Sequence, residues 1–275
     1  LHVVVCGKVI PDINQLTLRI DPDTKRLHRK DEPHILDPAA AVAVEEALQL
    51  VEQHGGSISF VTMGPSDAAT GIRTALALIS TANIPAAAVH LLGDEFAGSD
   101  TLGTAKALAA AIKQLPPFDL IICGTEASDT YAGIVPAQLA WQLGIPPLTF
   151  ANKVVGVEGN TLTINRQSET GYAVVKADLP ALVSVTSGLN EPRNPSLKGI
   201  MAARKVDVQT YSASQLGLGP DDVGASAARE RVETVGAPEA RKAGRILESD
   251  GQPDTVWAQQ AAKEVADFLA SLKVI

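Results

Sequence analysis

The chain is 275 residues long, 45% apolar and 20% charged, a composition that can bury a sizeable core and is not that of a disordered segment. Its 23 Lys and Arg stand against 31 Asp and Glu, a formal net charge of −8 that disfavours a surface tracking nucleic-acid phosphates. No apolar run approaches the roughly 20 residues of a membrane span, and Val3-Val4-Val5 follows the N-terminus without the pattern of a leader peptide, so a cytoplasmic chain with no direct membrane insertion is expected.

In chain order, short apolar runs alternate with segments of helical length, the pattern of an α/β, mainly parallel sheet with helices on both faces. Strands are expected at 2–6, 57–62, 88–92, 120–123 and 181–186. Asp37-Pro38 announces a helix over 39–54, pairing an N-cap acceptor with a proline in the first turn. Further helices are expected at 66–80 and 100–115, where apolar residues recur at three- and four-residue steps, and a shorter one at 133–143. Between 153 and 175 the alternation breaks, and Glu158-Gly159-Asn160 reads as the turn of an added β-hairpin. A short strand near 206–208 closes a first domain over 1–208. An extended C-terminal arm follows over 209–275, loosest between 217 and 253. It ends in a helix over 255–272 whose Trp257, Ala261, Val265, Phe268 and Leu272 form one apolar stripe.

Cys6 and Cys123 belong to no CxxC pair, and the five histidines at 2, 28, 34, 54 and 90 show no ligand spacing, so neither a disulfide framework nor a metal site is expected. The cysteines read as small buried hydrophobes. Lys25-Arg26 and Arg204-Lys205 read as solvated surface, as do the adjacent carboxylates Glu45-Glu46 and Asp221-Asp222. No nucleophile elbow, phosphate loop or GxGxxG turn occurs. What remains is a set of small-residue segments at the carboxyl ends of the expected strands: Cys6-Gly7-Lys8, Asp37-Pro38-Ala39-Ala40, Met63-Gly64-Pro65 and the stretch Gly124 to Thr130. Open α/β sheets bind ligands at that edge, and together the four segments favour a nucleotide crevice.

Three stretches carry a family resemblance: Asp37-Pro38 leading into Ala43-Val44-Glu45-Glu46-Ala47-Leu48, Met63-Gly64-Pro65 followed by Ile72-Arg73-Thr74-Ala75-Leu76-Ala77, and the run Leu189-Asn190-Glu191-Pro192-Arg193-Asn194-Pro195-Ser196-Leu197-Lys198-Gly199-Ile200-Met201. In this order and spacing, the chain from Val3 to Lys205 resembles the beta subunit of electron transfer flavoproteins. The resemblance implies a Rossmann-like, adenine-nucleotide-binding domain in a heterodimer with an alpha subunit. That heterodimer carries electrons from acyl-CoA or other flavin dehydrogenases to a quinone oxidoreductase or another acceptor, without a reaction of its own.

The implied cofactors are AMP in this subunit and FAD held mainly by the alpha subunit. The implied AMP contacts are Cys6, Asp37, Pro38, Ala39, Ala40, Met63, Gly124, Thr125, Glu126, Ala127, Ser128, Asp129, Thr130, Gly133, Ile134 and Val135. Residues 189–201 match the family's recognition loop, with Leu197 as the anchor that enters a partner dehydrogenase and Arg193 and Pro195 beside it. The C-terminal helix is expected to dock on the alpha subunit. Two alternatives stand beside this reading: an electron-bifurcating member with a second FAD in place of AMP, and a stand-alone nucleotide-binding domain of the stress-response type.

Overall fold

The computed structural model describes residues 1–12, 20–21, 23–25, 33–236, 244, 246–249, 251 and 253–274; Arg26, His28 and parts of the expected arm lie outside them. Two compact units divide the chain, Leu1–Glu233 and Thr234–Ile275.

The first unit is built on a nine-stranded sheet. Well inside it lies β1 (His2–Cys6), a run of β-branched residues buried on both faces, as in a parallel strand covered by helices. A small antiparallel ribbon of β2 (Val9–Pro11) and β3 (His34–Leu36) follows, in a stretch for which the sequence predicts no strand. Asp37 then caps α1 (Pro38–His54), its carboxylate accepting from the Ala39 amide at 2.7 Å. Next come β4 (Ser57–Met63), α2 (Ala69–Thr81) entered through a single 3-10 turn, β5 (Ala86–Leu91), α3 (Thr101–Ile112), β6 (Leu120–Gly124) and α4 (Val135–Leu143). The Asp100 carboxylate caps α3, accepting from the Gly103 amide at 2.8 Å.

The expected hairpin is a three-stranded meander, β7 (Pro147–Glu158), β8 (Thr161–Ser168) and β9 (Gly171–Asp178). The apolar face of β8, Leu162 and Ile164, is fully buried and packs into the main core, so the addition extends the sheet rather than projecting from it. The unit closes with β10 (Ala181–Val185), a seven-residue helix α5 (Leu197–Ala203) inside the stretch expected to be loop, and β11 (Val208–Tyr211).

Spatially the order is β11-β5-β4-β1-β6-β10-β7-β8-β9, parallel from β11 to β7 and antiparallel beyond. Two apolar layers cover its faces. One holds Val3, Val5, Ile58 and Phe60 under α1 and α2; the other holds Val4, Cys6, Ile121 and Cys123 under α3 and α4.

The first unit runs past the boundary expected at residue 208. After β11 the chain turns back over α3, burying Ala213 and Val223. Lys106 Nζ meets Asp222 Oδ1 at 3.1 Å, and the Arg229 amide donates to Asp100 Oδ2 at 2.7 Å. Side-chain caps and an ion pair hold a stretch whose composition lacks hydrophobic periodicity. The second unit contains α6 (Asp254–Ser271), where the expected terminal helix falls, with the Trp257 indole donating to the Glu248 carbonyl at 3.0 Å. No helix among the described residues is long and apolar enough to cross a membrane.

At the carboxyl end of β6, an added Cβ on Gly124 would lie 2.8 Å from the Ala39 Cβ and 3.0 Å from its carbonyl oxygen. Gly124→Ala is therefore expected to destabilise the fold by about 1–3 kcal/mol. The measurement is the urea midpoint at constant slope; an unchanged midpoint would show that α1 can back away from the sheet.

Candidate functional site

The chain leaves β1 toward β4 and β5 on one side and later returns to place β6 on the other, so the strand order reverses between β1 and β6. Such a switch point opens a crevice outside the carboxyl ends of the strands. Cys6-Gly7-Lys8 and Cys123-Gly124 end the two strands there, in register as Cys6 opposite Cys123.

The N-terminus of α1 lies over this edge. An added Cβ on Gly7 would meet the Ala40 Cβ at 2.9 Å and one on Gly124 the Ala39 Cβ at 2.8 Å, so only glycine lets helix and strand ends approach this closely. Asp37 joins the helix to the loop after β6. Besides capping α1, its nearly inaccessible carboxylate accepts from the Ser128 amide at 2.7 Å and the Ser128 hydroxyl at 3.2 Å. The segment after β1 is tied in through its backbone, where the Lys8 carbonyl accepts from the Asp37 amide at 3.0 Å. The Lys8 ammonium meets Asp129 Oδ1 at 2.7 Å and the Thr130 hydroxyl at 3.4 Å.

Asp37, Ser128, Asp129 and Thr130 are thereby assembled with Lys8 into one hydrogen-bonded group. Thr125 is fixed separately, its amide and hydroxyl both donating to the Val185 carbonyl. Tyr131, at φ +48°, and Gly133, at φ +67°, turn the chain into α4. Glu126 and Ile134 are exposed, Met63 ends β4 two residues beyond the level of Cys6 on β1, and Val135 opens α4 half-buried.

A second construction holds residues 189–201. Arg193 forks onto two carboxylates of α1, meeting Glu45 Oε2 at 2.8 Å and Glu52 Oε1 at 2.7 Å, and the Asn190 amide donates to Glu46 Oε2 at 3.2 Å. Glu45 and Glu46 are buried, which overturns their reading as solvated charge: the groups that hydrogen-bond them arrive from a loop more than 140 residues away. Burial pushes the Glu45 carboxyl up, but the hydrogen bonds and charge of Arg193, with help from Gln49, outweigh it and leave it below the ordinary value. Burial also pushes Glu46 up, only partly countered by Asn190, and the neighbouring Glu45 charge adds to the rise.

At its other end the loop is fastened to α2. The Ser196 amide donates to the Thr81 hydroxyl at 3.0 Å, and an added Cβ on Gly199 would lie 2.6 Å from the Ala77 carbonyl oxygen. Ser196 also caps α5, its hydroxyl accepting from the Gly199 amide at 3.0 Å. Leu197 begins that helix 78% exposed, with Ile200 and Met201 exposed at the next three- and four-residue steps, while Pro195 is half-buried. The S-x-x-G spacing and the 197, 200, 201 pattern are the signals in the sequence that mark this helix.

An open parallel α/β sheet with a crevice at its switch point is a Rossmann-like architecture. Residues 24–216 match the family model described as the electron transfer flavoprotein domain. Among similar proteins, the electron transfer flavoprotein subunit beta of Thermoanaerobacterium thermosaccharolyticum is 37% identical, covering 90% of this chain and 92% of its own. That of Mycobacterium leprae is 35% identical over 100% of this chain and 99% of its own. The caffeyl-CoA reductase-Etf complex subunit CarD of Acetobacterium woodii is 33% identical over 90% and 92%. The chain belongs to the electron transfer flavoprotein family, among its beta subunits.

The Arg193 fork generates a pH dependence. Glu45 and Glu52 both sit below their ordinary value in the folded chain, Glu52 chiefly through its hydrogen bond to Arg193. Their contribution to stability is therefore complete above about pH 4.5, the ordinary glutamate value, and is lost as pH falls through the folded values. Arg193→Ala is expected to cost about 2 kcal/mol at neutral pH. The gap between parent and variant in urea unfolding should narrow as pH drops below about 4.5; a gap independent of pH would contradict the assignment.

Proposed function

We propose that this chain pairs with an alpha subunit as an electron carrier, holds AMP in the crevice between β1 and β6, and docks partner flavin dehydrogenases through Leu197. The observation that carries the reading is the exposed Leu197 side chain on a segment pinned to α1 at Arg193 and to α2 at Ser196. The clamps serve the fold of the subunit, but leaving the leucine between them in water adds nothing to its stability. A docking anchor needs that arrangement, because a preordered apolar side chain loses little conformational entropy on binding.

Several features support AMP. Lys8 and Thr130 bring a cation and a hydroxyl to the crevice, donors of the kind a phosphate monoester uses. The Asp37 carboxylate orders the site by accepting from the Ala39 and Ser128 amides. Cys6, Pro38, Ala39, Ala40, Met63, Gly124 to Thr130 and Gly133 to Val135 complete the proposed contacts. The nucleotide is structural in this reading, stabilising the form of the subunit that binds it.

FAD, held mainly by the alpha subunit, supplies the electron-accepting chemistry when bound. This chain's part is to fix the distance and orientation between that flavin and a docked dehydrogenase. Electrons then pass to a quinone oxidoreductase or another acceptor. Docking of α6 on the alpha subunit completes the heterodimer in this proposal.

The test is to co-express the chain with its alpha subunit, denature the purified complex and quantify the released nucleotides. One FAD and one AMP per heterodimer is the expected outcome; two FAD and no AMP would replace the reading with the bifurcating alternative. Leu197→Ala is expected to leave both contents unchanged and to slow electron uptake from the dehydrogenase at limiting concentration by about tenfold or more, the worth of burying one leucine. Unchanged uptake kinetics would remove the anchor role.

A further inference from the structure

Cys6 and Cys123 are separated in sequence, yet they are direct register partners on the adjacent parallel strands β1 and β6. Both side chains enter the same apolar layer, under α3 and α4, and both thiols are free. Neighbouring strands lie about 4.8 Å apart, inside the Cα separation of about 4.4–6.8 Å that a disulfide spans. The neighbouring Cys123 side chain, with burial added to it, pushes the Cys6 thiol up, which keeps Cys6 quiet toward oxidants in the closed site.

We propose that Cys6 and Cys123 form a modification site, a dithiol at the base of the crevice that is converted reversibly to a disulfide by small organic disulfides. Cys6 loses its proton and attacks one sulfur of the reagent, whose S–S bond breaks, releasing one thiol and leaving a mixed disulfide on Cys6. Cys123 then loses its proton, attacks Cys6 Sγ and expels the second thiol. The two cysteines give up two electrons and two protons in total, and the reagent takes both. Excess dithiol reverses the exchange.

The bridge is coupled to ligand binding through the next residues along each strand. Gly7 and Gly124 lie directly against Ala40 and Ala39, so the strand ends cannot shift without moving the start of α1, where Asp37 holds Ser128. A bridged chain therefore presents an altered crevice and retains nucleotide less well. This coupling rests on the AMP reading above; formation of the bridge does not.

The experiment uses the purified heterodimer, stripped of nucleotide or saturated with AMP, and 2-hydroxyethyl disulfide as the probe. Peptide mass spectrometry under non-reducing conditions follows the products. Expected is a linked pair of peptides carrying Cys6 and Cys123, cleaved by dithiothreitol and formed several-fold more slowly with AMP present. Cys123→Ser should instead stop at a single hydroxyethyl adduct on Cys6, with Cys123→Ala as the second variant should serine at this buried position fail to fold. Separate adducts on the two cysteines, or two thiols that stay free in the folded complex while the denatured chain reacts, would overturn the proposal. Bridge formation at one rate with and without AMP would uphold the dithiol and overturn its coupling to the nucleotide.

Discussion

The close approach of α1 to the ends of β1 and β6 is the constraint on which the rest of the first unit depends. It requires glycine at both 7 and 124, because a methyl group at either would overlap an alanine of the helix. It also buries Asp37, and a buried carboxylate is tolerable only when its acceptor sites are filled. Both are used: one turn of α1 donates from the Ala39 amide, and the loop after β6 donates from Ser128. The positive end of α1 adds to the stabilisation of that carboxylate. Capping, close packing and the shape of the crevice are thus one arrangement, and none of the three can be changed alone.

The same helix organises a second site farther along its length. Glu45 and Glu46 are adjacent in sequence, and each is partnered differently, the first by the charged guanidinium of Arg193 and the second by a hydrogen bond from the neutral amide of Asn190. Burial pushes both carboxyls up, and because only Glu45 has a cationic partner to outweigh it, the two move in opposite directions from their ordinary value. Arg193, expected beside the partner-facing leucine, uses its guanidinium within the chain. Its contribution to docking in the proposed function is to hold the loop in register so that Leu197, Ile200 and Met201 remain presented on one face.

Much of the sheet was legible in the sequence because its signals are local. The runs Val3-Val4-Val5 and Leu120-Ile121-Ile122 have the length and continuous apolarity of parallel strands, and Asp37-Pro38 states where α1 begins. What escaped depends on distant partners. The Glu45-Glu46 pair carries no mark of burial until Arg193 and Asn190 are brought to it. Residues 209–233 look like an arm because they are held to the domain by Asp100, Lys106 and isolated buried residues such as Ala213 and Val223 rather than by a periodic apolar face. The facing of Cys6 and Cys123 follows from β1 and β6 being neighbours in the sheet, a topological fact that no spacing of cysteines in the chain encodes.

The chain also displays apolar side chains in two forms that suit two kinds of contact. The triad at 197, 200 and 201 is small and held rigidly, which suits a partner that binds and leaves: little surface is buried and little order is lost. The stripe on α6 is the other kind. Val265, Phe268 and Leu272 are all exposed, and no residue of the helix is buried. A single helix of this length is marginal in water unless its apolar face is covered, so its stability comes from whatever packs on that face. A beta subunit has an alpha subunit as its standing partner, and a long stripe buried by it would make the order of Thr234–Ile275 a property of the assembly. In the proposed function the permanent contact is the one that stabilises the terminal helix, and the transient one is left to α5.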